Sequence, residues 1–212
     1  MDTRTFYDRI SAAYDLVADA GECASRDRGL QLLNASPGER VLEVGFGTGH
    51  ALAGLAGAVG PTGRVVGIDI SSGMLKVARR RVGGAANVAF ALSDARALCF
   101  RNAEFDAVFM SFTLELFDFP DIAIALAEIE RVLQPGGRLA VVAMTEAATP
   151  ARISDIYAWL HRHFPHFVDC RPIDVAGLLE RAGLQRTREA TMSIWGLPVA
   201  ATVVFKLDDA TR

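Results

Sequence analysis

The stretch Arg40-Val41-Leu42-Glu43-Val44-Gly45-Phe46-Gly47-Thr48-Gly49-His50 decides the fold. Its first five residues read as a strand, and the glycines that follow read as a tight turn. Leu52, Leu55 and Val59 then recur three and four residues apart, which is one face of a helix. Strand, glycine turn and helix together open a βαβ unit. Gly45 lets the strand turn sharply, Gly47 leaves room for a ligand against the backbone, and Gly49 lets the helix begin close to the sheet.

Toward the C-terminus the alternation continues. Pro61-Thr62-Gly63 is a turn, Arg64 to Ile68 is a second strand ending at Asp69, and Ser71 or Ser72 is positioned to cap the next helix. That helix carries Leu75 and Val77-Ala78 on its apolar face and stops at Gly83-Gly84. Asn87 to Ala91 is a weaker third strand, and Phe105 to Met110 is a fourth, apolar enough to be covered on both faces. Ile122, Leu126, Ile129 and Leu133 predict a helix over Asp121 to Leu133, ended by Pro135-Gly136-Gly137 before a fifth strand over Arg138 to Ala143. Asp174 to Arg181 is a further helix. Leu184 to Glu189 and Val199 to Leu207 are separated by too little chain for a crossover helix, so they form an antiparallel pair.

Toward the N-terminus, Phe6, Ile10, Tyr14 and Val17 fall near one helical face, and Leu30 to Leu33 continues helically before Pro37-Gly38. Two helices packed across the open top of the sheet are expected here, with Phe6, Tyr7 and Tyr14 either filling core or covering a pocket. No repeat or linker divides the 212 residues, which read as one domain. Residues 1–36 form its N-terminal helical cap, and 147–171 a substrate-side insertion longer than a plain crossover needs.

Composition narrows the function. A hydrophobic fraction of 51% supports a full core, and a net charge of −3 argues against a nucleic-acid partner. The one dense basic run, Arg79-Arg80-Arg81, reads equally as the solvated end of a helix. Cys23, Cys99 and Cys170 are odd in number and widely separated, giving neither a disulfide framework nor a metal knuckle. With a polar start and no stretch long enough to span a bilayer, the reading is cytoplasmic.

The ligand is legible in two acids. Asp69 stands twenty residues past Gly49 at the end of a strand, where a carboxylate accepts from a ribose diol; its competing role is a turn or capping aspartate. A dinucleotide site would carry a third glycine at position 50, where this chain has His50, and no basic residue between Glu43 and His50 is aimed at phosphate. Glu43 under the turn would repel phosphate, yet could hold the turn's amides or an ammonium group indirectly. Adenosine without a pyrophosphate fits better.

These residues resemble the class I S-adenosylmethionine-dependent methyltransferases over most of the chain. Glu43 to Gly49 resembles the family's first motif, Ile68-Asp69-Ile70 its ribose acid, Ser93-Asp94-Ala95 its adenine-side acid, Phe105 to Leu116 its fourth-strand motif, and Arg131 to Leu139 the turn before strand five. Phe6 to Asp15 resembles the opening of the branch holding ubiquinone and menaquinone biosynthesis methyltransferases and some phospholipid N-methyltransferases.

The resemblance implies an α/β, Rossmann-like, mostly parallel sheet of seven strands in the order 3-2-1-4-5-7-6. The last strand is antiparallel and helices lie on both faces. It implies S-adenosylmethionine as cofactor, with Gly45, Phe46 and Gly47 near the methionine moiety, Glu43 beneath, and Asp69 on the ribose. Ile70 and Met74 then flank adenine, Asp94 and Ala95 meet its edge, Ser111 begins the loop beneath the sulfonium, and Tyr14 closes over the site. From the residues alone, Asp94 reads equally as a surface turn, and Met74 as core.

Methyl transfer from a sulfonium asks mainly for alignment and exclusion of water, so no triad is expected. A ring-carbon acceptor would need a base, whereas an amine or phenolate would not. Tyr14, Glu115 and His161 are the catalytic candidates, with His163 and His166 less distinctive; the bland reading of the histidines is an exposed helix end. Glu115, set among Phe112, Leu114, Leu116 and Phe117, either faces a pocket or caps a helix. No metal site is expected.

The branch implies an apolar or amphiphilic acceptor: a quinol, phenol, amine or lipid headgroup. Phe112, Phe117, Phe119, Trp159, Phe164, Phe167 and Trp195 are available to line its chamber. The partner is thus a small or lipid-like molecule, with peripheral membrane contact open and the protein a monomer or homodimer. The rivals are an NAD-dependent oxidoreductase and a non-catalytic nucleoside-binding protein.

Overall fold

The computed structural model describes residues 19–146, 171–194 and 196–207. Helix α1 (Asp19–Leu33) precedes strand β1 (Arg40–Val44), helix α2 (His50–Val59), strand β2 (Arg64–Asp69), helix α3 (Ser72–Val82) and strand β3 (Val88–Leu92). Strand β4 (Phe105–Ser111) leads through a single 3-10 turn, Leu114–Leu116, into helix α4 (Phe119–Val132) and strand β5 (Leu133–Met144). Helix α5 (Val175–Arg181) and strands β6 (Gln185–Ile194) and β7 (Leu197–Phe205) close the described chain.

The seven strands form one sheet in the order β3-β2-β1-β4-β5-β7-β6, as the family resemblance implies. β7 runs antiparallel to both β5 and β6, while the other pairs are parallel. The hairpin expected at the C-terminus is therefore present, with β6 running on to Ile194 beyond the expected Glu189 and β7 beginning at Leu197, two residues before the expected Val199.

Both faces of the sheet are covered because successive side chains point to opposite sides. On one face Val108 and Met110 of β4 join Leu42 and Val44 of β1 beneath Ile122, Leu126 and Ile129 of α4. On the other, Ala107 and Phe109 join Val41 beneath Leu33 of α1, Leu52 and Leu55 of α2, and Met74 and Ala78 of α3. The buried positions of α3 are Met74 and Ala78, so Ala78 is where the sequence reading put it, Leu75 packs only partly buried against the same core, and Met74 takes the buried place the reading gave to Val77.

Two expectations change. The first concerns α1, which lies on a face of the sheet instead of across its top. Gly29 is buried so close to β5 that a methyl group there would stand 2.3 Å from Val142 Cγ2. Arg138 of β5 fastens the helix end, donating from Nε to the Leu33 carbonyl at 2.6 Å and from Nη2 to the Asn34 carbonyl at 2.9 Å. The second concerns α4, which ends at Val132. Leu133 already pairs with Phe105 and Arg138 with Ala107, so Gln134–Gly137 loops out within β5 rather than preceding it. The Gly136 amide donates to the Lys206 carbonyl at 3.1 Å, and the Lys206 amide donates to the Gly137 carbonyl at 2.9 Å.

Candidate functional site

At the carboxyl ends of β1 to β4 the chain encloses a cleft of about 710 Å³. It lies beside the neighbouring strands β1 and β4, where the connection from β1 leaves toward β2 on one side and that from β4 toward β5 on the other, the usual ligand site of a doubly wound sheet.

The glycine turn makes one wall. The amides of Gly45 and Phe46 donate to the Ile68 carbonyl at 2.8 and 3.2 Å, which curls the turn over the end of β2. Gly45 has φ +74°, and a Cβ there would stand 2.3 Å from Thr113 Oγ1, so the turn after β1 and the turn after β4 touch only because no side chain separates them. Gly47 has φ +49° and open space where its Cβ would be. Gly49 abuts Ala78 of α3, rather than giving the close helix-to-sheet contact expected of it.

Asp69 fastens this turn. Its Oδ2 accepts from the Gly47 amide at 2.9 Å and its Oδ1 from the Ser71 amide at 2.8 Å. Ser71 Oγ in turn accepts from the Met74 amide at 3.1 Å and caps α3. The turn role of Asp69 is thus present, and the same residue lines the cleft.

Glu43 lies deeper. It is 3% exposed and lines the cleft, and its Oε2 has no hydrogen-bond partner among the described residues. Burial pushes its carboxyl well above the ordinary carboxylate range, the Arg26 guanidinium opposes that, and the Asp69 charge adds to it.

Glu22 and Arg26 of α1 also line the cleft, and sequence reasoning missed both. Their spacing of four puts them on one helical face, but nothing local says that this face meets the cleft. His50 lines it too.

On the far side, Ile70 and Leu92 are partly exposed at 38% and 49%, forming an apolar rim, with Met74 buried behind them at 2%. Asp94 and Ala95 follow β3 and line the same side. Arg96 brackets the Asp94 carboxylate, and its hydrogen bonds hold that carboxyl below its ordinary range.

The turn after β4 completes the cleft. Ser111 has a buried Oγ with no hydrogen-bond partner among the described residues, and Phe112 adopts φ +50°, uncommon for a bulky side chain. Phe112, Leu116 and Phe117 give this end its apolar lining. Glu115 is 1% exposed and does not line the cleft; its Oε1 accepts from the Met144 amide at 3.3 Å, tying the turn to β5. Tyr14 and His161 lie outside the described residues, as do Trp159, Phe164, Phe167 and Trp195. No group of three or more His, Cys, Asp or Glu among the described residues could hold a metal ion.

Residues 41–137 match the family described as "Methyltransferase domain". Over 188 residues the chain is 30% identical to the demethylmenaquinone methyltransferase of Staphylococcus saprophyticus, covering 77% of this chain and 80% of the relative. The chain belongs to the class I S-adenosylmethionine-dependent methyltransferases. It is an enzyme of that class, and S-adenosylmethionine is its methyl donor.

This methyltransferase is also 40% identical over 135 residues to the ubiquinone/menaquinone biosynthesis C-methyltransferase UbiE of Ectopseudomonas mendocina, covering 61% of this chain and spanning about half, 52%, of that relative's length. Its fold matches N-methyltransferase NodS of Bradyrhizobium japonicum, solved with S-adenosylhomocysteine, at a TM-score of 0.73 and 18% identity over 97% of this chain and 99% of that one. The cleft suits the donor on its own evidence. Gly47 leaves space beside the turn, Asp69 presents a carboxylate at the end of β2, and the buried Glu43 Oε2 lacks a hydrogen-bond partner among the described residues.

Proposed function

We propose that this methyltransferase acts on the carbon of an apolar aromatic acceptor of the quinol class, and that the cleft described above is its active site. The single observation that carries the site is the Asp69 carboxylate, which holds the Gly47 amide at 2.9 Å while lining the cleft. The acceptor class rests on two supports: the names of the relatives at 30% and 40% identity, and the apolar end of the cleft at Phe112, Leu116 and Phe117.

In this reading Asp69 accepts from the ribose hydroxyls, and Gly45, Phe46 and Gly47 flank the methionine portion. Arg26 lies on that side to meet its carboxylate, and Glu43 answers its ammonium group. Ile70 and Met74 pack against the adenine, Asp94 and Ala95 meet its edge, and Ser111 lies below the sulfonium. The bound donor supplies an electrophilic methyl group on a positively charged sulfur with a good leaving group. The protein's part is to orient acceptor against methyl and to exclude water, which contributes several kcal/mol through alignment alone.

A ring-carbon acceptor also needs a base. Tyr14 and His161 remain the candidates for closing the site and removing the proton. Glu115, buried against the Met144 amide, acts through the shape of the turn. The enzyme works in the cytoplasm as a monomer or homodimer, and no helix among the described residues is long and apolar enough to cross a membrane.

The test combines calorimetry with turnover. S-adenosylhomocysteine should bind and NAD should not, and a reduced demethylated naphthoquinone should gain one methyl group by mass spectrometry. Asp69→Ala should weaken binding at least about tenfold, the scale of lost charge-assisted hydrogen bonds. An unchanged dissociation constant would overturn the ribose assignment, and methylation of amines or phospholipid headgroups in preference to quinols would overturn the acceptor.

A further inference from the structure

Arg96 forms a bridge that the glycine and acid motifs do not explain. Its Nε donates to both carboxylate oxygens of Asp94 at 3.1 and 3.0 Å, its Nη2 donates to Oδ2 at 2.6 Å, and its own amide donates to Oδ1 at 2.9 Å. The remaining arm, Nη1, donates to Asp121 Oδ2 at 2.5 Å in the first turn of α4. One guanidinium thus locks the acid after β3 to a helix that begins after β4, and all three residues line the cleft.

The segment around it is fixed to the same helix. The Leu98 amide donates to Glu128 Oε2 at 2.8 Å, and Arg131 donates to the carbonyls of Leu98 and Phe100 at 2.9 and 2.8 Å. Those bonds already secure the backbone from 98 onward. The Arg96 bridge therefore does something narrower: it sets the direction of one exposed carboxylate. An aspartate with its side chain 38% exposed would otherwise rotate freely and be solvated from several sides. A planar fork that holds both oxygens leaves only the outward lone pairs for a ligand.

We propose that Arg96 is a positioning residue for base selection, which, with Asp121, presents Asp94 as a fixed hydrogen-bond acceptor so that the cleft takes a 6-aminopurine nucleoside and rejects a 6-oxopurine one. This inference rests on the reading that Asp94 meets the adenine edge. An amino group at the purine 6-position donates to a carboxylate, whereas a 6-oxo group directs lone pairs at it, and a site built around one hydrogen-bond pattern rejects the other strongly.

The experiment measures dissociation constants of S-adenosylhomocysteine and S-inosylhomocysteine by calorimetry in the wild type and in Asp94→Asn, Arg96→Met, Arg96→Lys and Asp121→Asn. Their ratio is the readout, because general loosening of the fold weakens both ligands together. The wild type should favour the adenosyl ligand by at least about tenfold. Asp94→Asn should abolish the preference, since an amide also offers a donor. Arg96→Met should reduce it by about fivefold, Asp121→Asn by less, and Arg96→Lys should restore part of it.

If Asp94→Asn leaves the ratio unchanged, the adenine-edge reading fails and this inference falls with it. If Asp94→Asn abolishes the preference but Arg96→Met retains it, the reading stands and the inference is overturned. A ratio that rises in Arg96→Met would mean that the guanidinium competes with the base, which also overturns it. Should Arg96→Met fail to fold, Asp121→Asn decides by the same ratio, since it removes only the outer anchor.

Discussion

Gly45 and Gly47 are two residues apart and both adopt positive φ, yet they are glycines for different reasons. At Gly45 a methyl group would collide with Thr113 within a packed wall; at Gly47, which lines the cleft, it would meet nothing in the protein. Gly45→Ala should therefore cost about 2–5 kcal/mol, combining left-handed strain with overpacking. Gly47→Ala should cost only about 1–2 kcal/mol of stability yet weaken S-adenosylhomocysteine at least about tenfold. Urea unfolding and calorimetry on the pair check this, and equal stability losses would disprove the distinction. Glu43 makes a pH prediction. Its folded carboxyl titrates above its unfolded one, so the native state holds a proton that the unfolded state releases. The stability this contributes is fully present below about pH 4.3 and is lost as pH rises through the raised value. Glu43→Gln, which carries no charge, should be stabilised relative to the wild type by more at pH 8 than at pH 5 when no donor is bound. Melting curves of both proteins test this, and parallel curves would contradict it.

Helix α1 shows how an element can be placed against its local preference. Glycine in a helix interior is about 1 kcal/mol worse than alanine, so propensity alone says that Gly29→Ala stabilises the protein. The packing says the reverse, because the added methyl would lie 2.3 Å from Val142 Cγ2 and 3.1 Å from Phe109 Cε2, both on strands that cannot withdraw. A net destabilisation of about 1–2 kcal/mol is expected in urea unfolding, after overpacking is set against propensity. A stabilised variant would mean that α1 does not seat on β5 as described. The same seating brings Glu22 and Arg26 to the cleft, so the helix contributes to the site through its packing.

The molecule as a whole couples ligand to fold, since the cleft is built from turns after β1, β2, β3 and β4 and from α1, with lining residues that run from Glu22 to Asp121 along the chain. A ligand binding only the assembled cleft stabilises it by mass action, about 2.7 kcal/mol at one hundred times its dissociation constant. For a chain of this size that corresponds to a rise of about 5–10 °C in melting temperature with S-adenosylhomocysteine. NAD at the same concentration should leave the transition in place, and an equal rise with NAD would favour the oxidoreductase reading.

Local patterns made much of this legible. The run from Arg40 to His50 identified a strand, turn and helix, and the twenty residues to Asp69 identified an acid that does line the cleft. The short connection around Gly196 and Pro198 predicted the antiparallel hairpin, because too few residues remain for a crossover. These features depend on neighbours in sequence, where periodicity, glycine and spacing act directly. Other features depend on residues brought together from far apart. Leu133 reads as the last turn of a helix but pairs with Phe105, since completing a β4–β5 ladder outweighs one more helical turn. Arg26 beside Glu43 and Arg96 against Asp121 were likewise invisible, as no local spacing reports which charges the folded sheet brings face to face. The sequence by itself determined the order of elements and the acids at the strand ends. Only the tertiary structure decided which face α1 covers and where each carboxylate points, because those follow from packing and charge pairing across the sheet.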